Sequence, residues 1–460
     1  MILYLILVVL FAIITLVNYR RGLPLLLILG LLADPLRKMT PENPVYINVL
    51  FVPVFLIMYF TVTGKSRKDE GFLHYYPETR NPLRFLILIL IVNSVRPILA
   101  GISNVPVLIY SLVQYLGILM AIKLGFLLAE KDKDVERFVR LFPIIVAPFL
   151  FTVLISFFMG DKRPLILNVM GIEKFPEWMI HGGGYGTARV GEKIVFLCGL
   201  FRNPEPMGWF AFIACVCALL VIFKNPKKVI SNIFYYAIAI MGIFCVYVSG
   251  RRKFLLGITI FAVTFALLAL RRSKQRAIIF LIVCMVLLGG VSYSMGKLQG
   301  EQRRLAGLYE KDSKTGYRDA IDEWKRRVGG SIKWAIKRDG FWGRGFGATT
   351  QGGRRFRAQV SGPGIESGSG KLLSEWGFPG LICITIIVYL LCRKVYANYT
   401  NALARSTSFP AEEAFLIALS IAHVAEFLLS HQIYADPLIG VLTGVTLGAL
   451  LAVPKWQKDQ

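Results

Sequence analysis

Apolar runs of membrane-crossing length recur from one end of this 460-residue chain to the other. A helix needs about 20 apolar residues to cross the hydrocarbon core of a bilayer. Thirteen segments approach or meet that length: about 1–17, 22–33, 44–63, 85–101, 106–128, 141–159, 206–223, 230–250, 254–270, 277–294, 372–391, 411–430 and 436–453. The second is short enough to be a half-span, so twelve to thirteen crossings are expected. Backbone amides inside lipid must be satisfied within each segment. The expected fold is therefore an all-α polytopic membrane protein with a large, partly helical external loop. With 55% hydrophobic residues and a mean hydropathy of +0.59, no soluble class fits. Met1 to Val17 has neither a basic leader nor a small-residue cleavage site, and reads as a retained span.

The short loops set the orientation. Arg20-Arg21, Lys65/Arg67/Lys68, Lys131 to Arg140, Lys224/Lys227/Lys228, Arg271 to Arg276 and Arg393-Lys394 fall on alternate turns, whereas 102–105 and 431–436 carry no Lys or Arg. By the positive-inside rule the basic side is cytoplasmic, and so is the tail Lys455 to Gln460. The chain then divides into N-terminal spans (1–159), an external loop (160–205), central spans (206–294), a large external loop (295–371), and C-terminal spans with a cytoplasmic tail (372–460).

The external loops are where the charge is unusual. Residues 295–371 hold 17 Lys or Arg against 8 Asp or Glu, and the whole chain has a formal charge of +25. The positive-inside bias weakens for long translocated loops, so these cations do not contradict the orientation. They suit an anionic head group such as a lipid-linked phosphate or pyrophosphate. No nucleic-acid motif or disordered basic tail accompanies them, so nucleic acid is not an expected partner. The seven cysteines lie in or beside apolar runs and form no CxxC pair, which argues against a disulfide framework or a zinc site. No metal and no cofactor is expected.

Several positions carry candidate chemistry. Arg251-Arg252-Lys253 sit between two spans with almost no loop, either as an interfacial snorkelling cluster or as a pyrophosphate clamp. In the large loop, residues 316–336 have a helical period through Ile321, Trp324, Val328 and Ile332, interrupted at Gly329-Gly330. Arg318 on its flank either binds phosphate or pairs with Asp322 one turn on. Gly340 to Gly353 is a glycine-rich loop whose amides can cradle an anion. His181, in a Gly-rich stretch, is a possible base or an ordinary exposed His. His423 and Glu426 lie three apart in a late span, with His431 at its outer end. Polar groups inside a membrane are functional candidates.

Four pieces, taken in order, resemble the O-antigen ligase and O-antigen polymerase superfamily of bacterial envelope glycosyltransferases. They are Gly199-Leu200-Phe201-Arg202-Asn203-Pro204 running to Gly208 before a span; Ser249-Gly250-Arg251-Arg252; Tyr317-Arg318 and Trp324 followed by Gly343-Arg344-Gly345-Phe346-Gly347; and Glu375-Trp376-Gly377-Phe378-Pro379-Gly380 at the return to the membrane. Together they cover roughly residues 199–390. Ligases of the family usually carry a His about eleven residues before the Gly of that return. Here that place is taken by Glu366, and the loop has no His.

The resemblance implies metal-independent transfer of a glycan from a polyprenyl-pyrophosphate carrier to an acceptor hydroxyl of a glycan or lipid. The reaction would take place on the periplasmic or outer face of a bacterial cytoplasmic membrane. Arg251, Arg252, Arg318 and, in second rank, Arg202 would hold the pyrophosphate, because the guanidinium fork matches phosphate oxygens and stays charged. Glu366 would be the base, its pKa tuned by burial. His181, His431 and Glu375 are secondary candidates, Glu375 more as an anchor of the following span than as a reactant. The rival reading is a transporter or flippase of lipid-linked sugars, which would place charge along a central pathway and often show internal repeats. No clear repeat is found. A purely structural membrane protein leaves the outer cations unexplained.

Overall fold

A computed structural model describes residues 2–40, 45–65, 71–99, 101, 105–159, 198–225, 229–297, 325–349, 367–405 and 409–456. Every regular element among them is helical. Helix lies in each of the thirteen apolar segments: α1 (Ile2–Val17), α2 (Gly22–Met39), α3 (Val52–Lys65, which with the preceding 3-10 turn Val45–Val49 makes the apolar span Tyr46–Lys65), α4 (Arg80–Leu99), α5 (Val105–Leu128), α6 (Asp132–Met159), α7 (Pro204–Lys224), α8 (Val229–Val248), α9 (Arg252–Leu270), α10 (Lys274–Gly296), α12 (Gly368–Arg405), α13 (Ala411–Leu429) and α14 (Pro437–Trp456). Between α10 and α12 lies one more helix, α11 (Gly330–Asp339). The protein is thus an all-α, multi-pass membrane protein. Nine helices among the described residues are long and apolar enough to cross a bilayer.

The four that miss that standard do so for two reasons. Helix α1, Ile2–Val17, is apolar but 16 residues long, and of the 20-residue α8 the apolar part with described side chains is Asn232–Val248. Helices α2 and α13 have the length but hold three charged residues each: Asp34, Arg37 and Lys38 in one, Glu412, Glu413 and Glu426 in the other. Charges within such helices need protein partners rather than lipid. Segment 22–33, short enough for a half-span, continues as helix through Pro35 to Met39 because those charges find partners. The helix expected over 316–336 is seen from Lys325, as a π-turn (Lys325–Gly329) leading into α11. Gly329-Gly330 does not interrupt it, and it ends at Asp339. Residues 316–324 lie outside the described residues.

The chain falls into two compact units, the first made of Met1–Gly64, Lys133–Thr315 and Ile417–Ala422, the second of Lys65–Asp132, Gly316–Leu416 and His423–Gln460. In the first, α7 packs on α8 and α9, and α9 on α10. Met207 to Phe223 are all buried, as a helix that is apolar on every face requires. At its C-terminal end Lys224 bonds Glu136 of α6 at 2.8 Å, and Arg140 pairs with the same carboxylate. Twenty-one residues of helix separate the two ends of α7 by about 30 Å.

In the second unit, α14 lies against α5, and α12 against α4, α11 and α14. The α5–α14 contact is backbone on backbone. A Cβ added to Gly448 would fall 2.0 Å from the Ile122 carbonyl oxygen, so only glycine permits this approach. Exposed apolar side chains line α1, α4 and α10, among them Leu3, Ile6, Phe85, Ile91, Ile282 and Val286, as lipid-facing helices require.

Candidate functional site

The first unit gathers charge at the N-terminal end of α7. Asn203 caps that helix, its side-chain oxygen accepting the Glu205 amide at 3.0 Å, and Pro204 occupies the first turn, where a missing N–H costs nothing. From α2, Asp34 Oδ2 accepts the Arg202 amide at 3.1 Å, and Lys38 Nζ donates to the Gly199 carbonyl at 2.8 Å. The Asn48 side-chain oxygen, in the amide orientation that satisfies its neighbours, accepts from Nη1 of Arg202 at 2.5 Å and Nη1 of Arg37 at 3.0 Å. These bonds hold two guanidinium groups on one oxygen and fix the segment that carries Arg202.

The α8–α9 turn completes the cluster. Gly250 adopts φ +65°, and Ser249 Oγ accepts the Arg251 amide at 3.1 Å, closing a tight turn that leaves Arg251 just before α9. Lys253 Nζ lies 2.9 Å from Glu205 Oε1, with side chains only 9% and 13% exposed. Arg251 and Arg202 add to the positive field at that carboxylate. The Arg251 guanidinium itself, partly exposed, makes no hydrogen bond or ion pair among the described residues. Gly208 packs against Phe254 and the Ser249 hydroxyl, so the first two motif pieces touch. The charge alternation puts 199–205 and 251–253 on one side, and the Glu205–Lys253 pair joins them.

Five cations (Arg37, Lys38, Arg202, Arg251, Lys253) thus gather around two carboxylates (Asp34, Glu205) among the described residues. Two of the five, Arg202 and Arg251, are sequence-predicted ligands, and Lys253 belongs to the predicted basic triplet. Asp34, Arg37, Lys38, Asn48 and the pairing of Glu205 were missed. Their signal was a run of charges directly after an apolar segment, which reads as a loop. Burial pushes the thiol of Cys198, beside Lys38, up from its ordinary range, and the ammonium 3.5 Å away only partly offsets that. That burial disfavours the thiolate, the nucleophilic form.

The second unit brings the other two motif pieces together. Helix α12 breaks at Gly377, whose φ is +68°; a Cβ there would lie 2.6 Å from the Trp342 carbonyl carbon and oxygen. Against this break docks the 340–349 loop, in which Gly340, Gly343, Gly345 and Gly347 all have positive φ. Arg344 N–H donates to Ser374 O at 2.7 Å and Phe378 N–H to Phe341 O at 2.8 Å. Arg96 of α4 holds the Trp342 and Gly343 carbonyls at 2.7 and 2.8 Å. Glu375 is fully buried, one oxygen accepting from the Tyr115 hydroxyl, the other from Thr349 Oγ1 at 2.8 Å and its amide at 3.3 Å. Both oxygens are engaged in positioning α5 and the loop.

Further along, the Tyr434 hydroxyl donates to Glu426 Oε2 at 3.0 Å and lies 3.1 Å from His423 Nδ1. Burial first, then the Glu426 carboxylate, push the Tyr434 phenol well above its ordinary value, so it stays a donor. His431 is buried, and its carbonyl accepts the Tyr434 amide at 3.0 Å. Glu366, Arg318, His181 and the side chain of Arg252 lie outside the described residues. No group of three or more metal-ligating side chains occurs among the described residues. No known family model matches the chain, and no curated protein does.

Proposed function

We propose that this chain is a membrane glycosyltransferase of the O-antigen ligase and polymerase type. It moves a glycan from a polyprenyl-pyrophosphate carrier to a hydroxyl of a glycan or lipid acceptor, at the outer face of a bacterial cytoplasmic membrane. The observation that carries this reading is the α2–α7–α9 cluster, where five cations gather around two carboxylates and the Arg251 guanidinium makes no hydrogen bond or ion pair among the described residues. In the transfer, the acceptor oxygen bonds the anomeric carbon as the bond from that carbon to the pyrophosphate oxygen breaks. The electron pair leaves with the pyrophosphate, and the acceptor proton goes to a base. Fixed cations stabilise that leaving charge most where they need no reorganisation. Asn48, Asp34 and Glu205 supply that rigidity to Arg37, Arg202 and Lys253. Glu366 is the proposed base and Arg318 a further pyrophosphate ligand.

One observation favours the transporter reading: ionisable side chains lie within helices, Asp34 and Lys38 in α2 and His423 and Glu426 in α13. The same experiment separates the two. Purified protein in liposomes is given a lipid-linked oligosaccharide, and products are tested with mild acid, which releases glycans held by pyrophosphate. A lengthening ladder still released by acid means polymerase, and acid-stable glycan means ligase. Glycan crossing the bilayer with no new bond sinks the enzyme reading. Arg251→Gln and Arg202→Gln are each expected to lower the turnover rate by about 10²- to 10³-fold, and Glu366→Gln and Arg318→Gln to lower it comparably.

A further inference from the structure

Helix α11 packs where α12 turns into its membrane-crossing part. Ile332, Trp334 and Ala335 lie against Leu373, Phe378 and Leu381 of α12. The end of α11 is fixed by Asp339, whose carboxylate takes Arg338 in a fork and Arg344 Nε at 2.9 Å. The Arg338 guanidinium also stacks on the Trp334 ring at 3.8 Å. The outward side of α11 is part cationic and part apolar. Lys333 and Lys337, both exposed and one turn apart, lie about 160° round the helix from buried Ala335. Ile336, 41% exposed, occupies the flank between them and the packed face, and just past the helix Phe341 and Trp342 are 55% and 59% exposed.

These apolar side chains continue a lipid-facing stripe. The Phe341 ring stacks on Phe378, centroids 5.6 Å apart and planes 3° from parallel. From Phe378 the same face of α12 runs on through Ile382, Ile386 and Tyr389, all exposed and at helical spacing. Helix α12 is long and apolar enough to cross a bilayer, so lipid covers that stripe, and Phe341 and Trp342 stand at its end nearer the Gly377 break. A helix with an apolar flank and cations beside it lies in the plane of the bilayer surface, and Trp is favoured at that depth. The exposed lysines match anionic headgroups there. We propose that α11 and Phe341-Trp342 lie in the bilayer surface where α12 enters, with Lys333 and Lys337 bound to the phosphates of anionic phospholipids. The 340–349 loop, which follows α11 directly, is thereby held at headgroup depth. The inference stands whether or not the chain transfers glycans, because its test reads lipid contact.

The full-length protein is placed in nanodiscs of phosphatidylcholine brominated either near the headgroup end or near the methyl end of its chains. Bromine quenches indole fluorescence on contact, and the difference between wild type and Trp342→Phe isolates Trp342. That emission is expected to be quenched about twofold more by the shallow label, since such helices sit only about 5–10 Å into the headgroup boundary. In unlabelled discs, a small fraction of brominated phosphatidylglycerol is expected to quench Trp342 about fivefold more than the same fraction of brominated phosphatidylcholine, the factor that one lysine adds at an anionic surface. The double variant Lys333→Gln with Lys337→Gln is expected to lose most of that preference. Trp342 quenched by neither label, as a covering protein segment or water would give, overturns the proposal, and so does stronger quenching from the deep label. Equal quenching by the two headgroups in wild type, or a preference that survives the double variant, overturns the role given to the lysines. If Trp342→Phe does not fold, Trp342→Tyr supplies the difference.

Discussion

The Glu205–Lys253 pair sets a sharp test of how the cation cluster is held. At 2.9 Å and an effective dielectric near 20, the gross attraction is about 6 kcal/mol. Desolvation of two side chains only 9% and 13% exposed offsets most of it. Removing one partner is the costly change, because the other charge stays buried. Such losses run about 3–5 kcal/mol for fully buried pairs; the residual exposure here and the nearby Arg251 reduce this to about 2–4 kcal/mol for Lys253→Met. Glu205→Gln should cost a similar amount, by leaving Lys253 among like charges. The double variant should lie within about 1 kcal/mol of wild type, giving a coupling of several kcal/mol in a double-mutant cycle. Reversible unfolding in mixed micelles with increasing SDS measures each term. Pyrophosphate affinity should move differently: Lys253→Met weakens it, whereas Glu205→Gln, which removes a negative charge from the cluster, does not. Additive losses in the cycle would refute the claim that these two side chains fix each other and, through each other, the ends of α7 and α9.

Two further outcomes follow from local geometry. Gly377→Ala forces a left-handed φ on a residue with a side chain, about 1–2 kcal/mol, and drives its Cβ to 2.6 Å from the Trp342 backbone, which has no rotamer to yield. A loss of about 3 kcal/mol or more is expected, with protease cleavage newly detected in the 340–349 loop; wild-type melting would show that the kink is not what the glycine is for. Of the seven cysteines only Cys392 is exposed. N-ethylmaleimide on the folded protein in detergent should add one label, abolished by Cys392→Ser, and labelling of Cys198 at pH 7.5 would contradict its burial and raised thiol pKa.

Where the sequence was and was not legible has a physical pattern. All thirteen apolar segments are helices because lipid imposes both length and helicity, and those two demands are written in local hydropathy. The glycines at 343, 345, 347 and 377 were visible as motif pieces. That Arg344 bonds Ser374 O, and that Arg96 of α4 clasps the same loop from 246 positions away, was not visible, since no local rule couples residues so far apart in the chain. The same holds for the Asn48 oxygen shared by Arg37 and Arg202. The failures that matter cluster on α2 and α13. Hydropathy scores the transfer of a residue from water to lipid, but the charged ends of these helices are transferred from water to protein, where Gly199, Asn48, Arg202 and Tyr434 meet them. For that transfer the scale has the wrong sign. A helix in a membrane protein that is long enough to span but too polar to qualify is therefore evidence of partners, and the partners of α2 are the very residues that make up the cationic site.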